Sequence, residues 1–143
     1  MTTKTTAEEL VTRQTEAWNR HDPAAIAAAY AQDVTVLDPY YPEPLSGRDA
    51  VQKDAADFFT AFPDLAVRVT KVMASGDTVA FEGIVNATHT GPLQLPAGLI
   101  PPTNKRLEFS IASFSTLDGS GHIREERRYY DVAGQLTQLG LLQ

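Results

Sequence analysis

The sequence predicts an α+β fold in one domain spanning residues 1–143: three N-terminal helices packed on a strongly curved antiparallel sheet that closes over them like a cone. Three observations predict it. The apolar period is helical as far as Pro63 and alternating after it. Two turn signals, SGD at 75–77 and DGSG at 118–121, divide the alternating half into strands joined as hairpins. One further strand, at 33–38, lies among the helices and joins that sheet. A sheet curved over helices leaves an open mouth, and the mouth forms a pocket.

Taken in order, Thr6 followed by Glu9 is a capping-box pattern, and a helix is expected from there to about Arg20. Leu10, Val11, Ala17 and Trp18 form its apolar stripe, with Gln14 between them at helical spacing. HDP at 21–23 repeats the start signal. Asp22 caps, Pro23 suits the first helical position, and AAIAAAYA continues as a short second helix. The strand at 33–38 follows at once. Ser46 with Asp49 is expected to cap a third helix, which ends before Pro63. Beyond it, strands are expected at 66–73, 78–90, 105–117 and 122–130, and Asp131 caps a short terminal helix. The segment GPLQLPAGLIPPTN at 91–104 is too long for a simple hairpin and reads as a lid or as a structural loop. In the strand at 105–117, Leu107, Phe109 and Ile111 alternate with Glu108, Ser110 and Ala112. The second set is expected to face the pocket. The apolar set then faces outward and needs a cover, which a second copy of the chain supplies.

A formal net charge of −6, with no basic run, argues against nucleic acid or an anionic membrane surface as partner. The chain has no cysteine, which excludes a disulfide framework, a thiol nucleophile and thiolate metal sites, and fits a cytoplasmic location. No apolar run approaches the length that crosses a bilayer. The three histidines have no paired spacing, so no metal site is expected. His21 and His122 are expected to be solvated, and His89, at a strand end, to hang over the pocket mouth.

The stretch DVTVLDPYYPEPLSG at 33–47 carries the chemistry. Val34, Val36 and Asp38 fall on one face of a strand, so the carboxylate points where the core is. Pro39 ends the ladder and the tyrosines after it wall the acid. A carboxylate held among apolar groups has its charged form disfavoured, which is how proteins make a general base that works near neutral pH. In REERRYYD at 124–131, Arg124, Glu126, Arg128 and Tyr130 share one strand face.

The combination of Trp18-Asn19 with Asp22, the strand DVTVLDP, SGRDAV at 46–51, FPDL at 62–65, THTGPL at 88–93, IPPTNKR at 100–106 and QLTQLGLL at 135–142 resembles the SnoaL-like polyketide cyclases of the nuclear transport factor 2-like superfamily. The likeness covers nearly the whole chain. Residues 12–47 also resemble ketosteroid isomerase. Both resemblances imply a cone-shaped α+β barrel, a homodimer and acid–base chemistry without a cofactor. The isomerase likeness places a base at Asp38, but its phenol position is Gln14 here, and its second acid falls at Ala112 or Ser113. The cyclase likeness puts Arg128 where the catalytic acid would be and Ala112 where its histidine would be. A guanidinium is always protonated and cannot replace a carboxylate as a proton shuttle. The same likeness implies that Trp18 and Asp54 line the pocket, which makes Asp54 a second candidate acid, and that Asp131 caps the last helix.

These readings point to a cofactor-independent enzyme of the isomerase, cyclase or lyase kind, acting on a small hydrophobic carbonyl compound such as a polyketide- or steroid-like molecule. Asp38 abstracts the proton, Gln14 or Tyr40 steadies the oxygen, and Trp18 and Phe58 pack the ring. The alternative is a non-catalytic ligand-binding or interaction domain of the same fold. Arg128 is expected to face the cone and pair with Asp54 or Glu126, leaving Asp38 free and offering a positive wall to an acidic or enolate-bearing ligand. An epoxide-opening hydrolase would need an acid–arginine–acid pattern, and none can be pointed to in the sequence.

Overall fold

The computed structural model describes residues 4–142. Helices α1 (Lys4–Asn19) and α2 (Pro23–Ala28) form a hairpin, followed by β1 (Tyr30–Leu37), the short β2 (Leu45–Ser46) and α3 (Arg48–Ala61). The strands β3 (Ala66–Ser75), β4 (Thr78–Thr88), β7 (Arg106–Leu117) and β8 (Ile123–Tyr129) make up the rest of the main sheet. Strands β5 (Leu93–Leu95) and β6 (Gly98–Ile100) form a separate hairpin within the long loop, and α4 (Val132–Gln138) closes the chain. The strand order is β2-β1-β8-β7-β4-β3. The fold is the expected α+β cone, with one pairing of a different kind: β1 lies parallel to β8, while the other pairs of the sheet are antiparallel. Irregularities of register in β1, β3 and the β7–β8 pair help curve the sheet. No helix among the described residues is long and apolar enough to cross a membrane.

Local signals set most boundaries. Asp22 accepts from the Ala25 N–H and Asp131 from the Gly134 N–H, so both expected caps form. Two others do not. Helix α1 begins at Lys4, so Thr6 sits inside it rather than at its cap. Gly47, at φ 92°, is the N-cap of α3, and no side chain caps that end; Ser46 is taken instead into the short β2. The C-terminus of α3 is closed by the long loop, whose Thr90 and Gly91 N–H groups both donate to the Ala61 carbonyl. A Cβ at Gly91 would lie 1.9 Å from the Thr60 carbonyl oxygen, so only glycine lets the loop reach the helix end.

The core lies between the helices and the concave face, where Ile26, Val34, Val36, Val51, Phe62 and Leu107 are fully buried. Strand β7 corrects the expected faces. Phe109 and Ile111 point into the cone together with Ser113 and Ser115, while Glu108, Ser110, Ala112 and Phe114 take the opposite face. The two faces alternate as expected but with the opposite sense: in a half-buried strand the apolar set goes inward unless something covers the outside. Leu107, Phe109 and Ile111 are therefore covered from within the chain and call for no partner. The convex face still exposes Met73, Phe114 and Tyr129.

Candidate functional site

The cone encloses a cavity of about 130 Å³ between α1, α3 and the concave sheet, with Leu93, Gln94 and Leu95 of the β5–β6 hairpin forming part of its wall. Most of its lining is apolar, including Leu10, Trp18, Phe58, Phe81 and Phe109. The polar groups gather at one end, and strand register brings them there. The parallel pairing that sets Val36 beside Glu126 and Leu37 beside Arg127 carries Asp38 alongside Arg128. Both side chains then fall on the concave face.

Arg128 is the hub. Its Nη1 donates to Asp38 Oδ2 at 3.0 Å and to Asp54 Oδ2 at 2.9 Å, and its Nε donates to Glu126 Oε1 at 3.0 Å. The Arg128 side chain is 8% exposed, and those of Asp38, Asp54 and Glu126 are 5%, 12% and 7% exposed. Each carboxylate also takes a phenol. Tyr130 donates a short hydrogen bond to Asp38 Oδ1, Tyr41 donates to Asp54 Oδ1 at 2.6 Å, and Tyr30 to Glu126 Oε1 at 2.7 Å. The Tyr40 N–H donates to Asp38 Oδ1 at 2.9 Å, and Ser113 Oγ to Glu126 Oε2 at 2.7 Å. Tyr40 itself packs at a tilt against Tyr130 and donates its hydroxyl in a short bond to Gln135 of α4.

Burial, followed by the adjoining carboxylates, raises the pKa of Tyr30, Tyr41 and Tyr130 far above the ordinary phenol value. Burial and the charge of Asp38 do the same to Tyr40. These phenols stay protonated and serve as donors. Burial alone would weaken the charge on Arg128, but the surrounding carboxylates, Glu126 foremost, outweigh it and hold the guanidinium well above its ordinary value.

The structure brings Gln14, Trp18, Tyr40 and Phe58 to the cavity wall, along with Asp38, Asp54, Glu126, Arg128 and Tyr130. Gln14 donates its amide to the Ile26 carbonyl, which fixes it to α2. Several expectations are corrected. Ala112 is not on the cavity wall, because β7 turns its even-numbered side chains outward. His89 is fully buried beneath the end of α3, against Phe62, and does not reach the mouth. Asp38 is not free, since Arg128 reaches all three acids at once. An acid–arginine–acid arrangement is present after all, as Asp38–Arg128–Asp54. Tyr30 and Gln135 were not singled out from the sequence, Tyr41 only as a wall beside Asp38 and Ser113 only as a place for the isomerase likeness's second acid. Their roles depend on register and on helix–sheet docking, which no local spacing reveals. His21, expected in solvent, is half-buried, stacks on Phe59 and bonds the Leu65 carbonyl at 2.8 Å.

Residues 8–139 match the model of the family described as SnoaL-like polyketide cyclase. No curated protein matches the chain by sequence. Among solved structures, AclR from Streptomyces galilaeus is 26% identical, with a TM-score of 0.81 over 99% of this chain and 89% of its own. A protein of ketosteroid isomerase-like fold from Catenulispora acidiphila is 24% identical, with a TM-score of 0.76 over 93% of each chain. IdmH from Streptomyces antibioticus, named as a proposed polyketide cyclase, is 23% identical, with a TM-score of 0.73 over 94% of this chain and 98% of its own.

Proposed function

The chain belongs to the SnoaL-like polyketide cyclase family, and from that premise we propose that it is a cofactor-independent acid–base catalyst of the isomerase or cyclase kind. Its substrate is a small apolar compound with a carbonyl or ether oxygen, and Asp38 and Asp54 are the proton-transferring pair. One observation carries the reading: a single nitrogen of Arg128 bonds both carboxylates at the polar end of an otherwise apolar cavity. Arg128 cannot move a proton itself. It holds two carboxylates side by side, so that the one that takes a proton from the substrate carbon returns that same proton to the product, while the other keeps its charge beside the guanidinium. Asp38 thus works as half of a bridged pair and not as the free base of the sequence-based reading. Asp54, the most exposed of the three acids, is the group nearest to solvent. Tyr41 and Tyr130 each donate their one hydroxyl proton to Asp54 and Asp38 and so orient the two carboxylates.

The test is turnover of an aryl 1,3-diketone, followed by deuterium exchange at the carbon between its carbonyls, and of an aryl hydroxy-epoxide, followed by ring closure. Asp38→Asn and Asp54→Asn should each lower the rate by roughly 10²–10⁴-fold. Unchanged rates in both variants would refute the assignment. A second reading, binding without chemistry, is favoured by the saturation of all three carboxylates with donors, and it predicts tight ligand retention with no exchange in any variant. A second copy of the chain is the partner for the exposed convex face. Sedimentation at micromolar concentration should then give about twice 15.6 kDa.

A further inference from the structure

The ionisable groups around the cavity do not balance. Asp38, Asp54, Asp57 and Glu126 line it, and Arg128 is the cation among the lining side chains. Lys53 answers Asp57, bonding it at 2.7 Å from the exposed side of α3. Three carboxylates then share one guanidinium at the polar end. The phenols and Ser113 satisfy the hydrogen bonds of those carboxylates but bring no positive charge. Away from water, a formal excess of negative charge attracts a cation and repels an anion far more strongly than it does at the surface.

We infer that the ligand this cavity selects is an apolar ring compound bearing a protonated amine, with the nitrogen lodged beside Asp54. This deepens the proposed function, resting on the reading of the cavity as the ligand site. Asp54 is the approach because its side chain is the most exposed of the three acids, at 12%. Trp18, Tyr41 and Phe58 line the same cavity and offer ring faces to an alkylammonium. A metal ion is not the occupant. Arg128 already stands between Asp38 and Asp54, and among the described residues no group of three or more acids and histidines could hold one. Nη1 and Nε of Arg128 are engaged by the three carboxylates, so the charge of the guanidinium is already answered within the cluster.

Trp18 is the sole tryptophan of the chain and lines the cavity, so its fluorescence reports occupancy. The experiment titrates the 143-residue chain at pH 7 with 1-adamantanemethylamine, 1-adamantanemethanol and 1-adamantanecarboxylate, which share one apolar body. The amine should bind roughly tenfold or more tighter than the alcohol, and the carboxylate should bind weakest. Asp54→Asn should bring amine and alcohol close together. If that variant does not fold, the wild-type ranking alone decides. Equal binding of amine and alcohol, or a carboxylate that binds as well as the amine, overturns the inference and leaves the proposed chemistry standing. No binding by any of the three overturns both.

Discussion

Arg128 and His89 are both buried polar side chains, yet their surroundings differ in kind. Around Arg128 every carboxylate has a cation and a phenol, and the hydrogen-bonding groups of three strands and one helix converge on it. His89 has one partnered nitrogen. The Thr103 N–H donates to its Nδ1 at 3.2 Å and the Thr103 hydroxyl lies 2.9 Å from the same atom, which leaves the proton of the neutral ring on Nε2. That Nε2 is buried with no hydrogen-bond partner. The backbone groups of His89 also hold the loop, its N–H donating to the Lys105 carbonyl and its carbonyl accepting from Asn104. The difference separates two uses of a buried polar group. The cluster is a charged device facing a cavity, where an incomplete partner set would be costly. His89 is a neutral clamp at the foot of the loop that ends α3, and it tolerates one idle donor because it carries no charge.

Removing the hub should have the largest effect. Arg128→Met would leave three buried carboxylates facing one another without a cation, and urea denaturation should show a loss of about 3–5 kcal/mol. Arg128→Lys keeps the charge as a point and cannot bridge two acids and bond a third in the same plane, so its loss should fall between wild type and Arg128→Met. If Arg128→Met were as stable as wild type, the cluster would not be held together by charge at all. Tyr130→Phe should cost less, about 1–3 kcal/mol, because it removes one donor from the buried Asp38 carboxylate and leaves the Tyr40 N–H and Arg128 in place. A loss as large as that of Arg128→Met would mean that the phenol, and not the guanidinium, holds the acid.

The same contrast shows what a sequence makes legible. The period change at Pro63, the caps at Asp22 and Asp131 and the one-face alternation of Glu126, Arg128 and Tyr130 are local patterns, and the structure carries each of them. Asp38 could be placed inward because it continues Val34 and Val36, both fully buried. That Arg128 would reach Asp38 could not be read, because it follows from a parallel β1–β8 register between residues 90 apart in the chain. The sense of β7 failed for a related reason. Alternation gives two faces and does not say which is inside when Phe109 lies on one and Phe114 on the other. His89 was misplaced because Gly91, which can approach α3, pulls the strand end under the helix instead of letting it run to the mouth.

The smallest effect belongs to His89 and is a matter of pH. Burial pushes its pKa down, and a backbone contact at Gly91 offsets part of that. The unfolded chain, with an ordinary histidine value of about 6.5, therefore binds a proton at a higher pH than the folded one does. Stability is proportionately greater wherever His89 is neutral in both states, so it is full above about pH 6.5 and declines as the pH falls from there toward the folded value. The structural reason is that a proton on Nδ1 would face the Thr103 N–H, donor against donor, and the clamp would have to open. His89→Asn puts an amide oxygen near the position of Nδ1 and cannot titrate. The difference in urea midpoint between wild type and His89→Asn, measured from pH 7.5 down to 5.5, isolates this group from the other histidines and from the carboxylates. Wild type should run level with the variant down to about pH 6.5 and lose ground against it below that, by less than the cost of Tyr130→Phe. Parallel curves would show that the loop yields to the proton without strain, and that the clamp is held by the Asn104 and Lys105 backbone bonds alone.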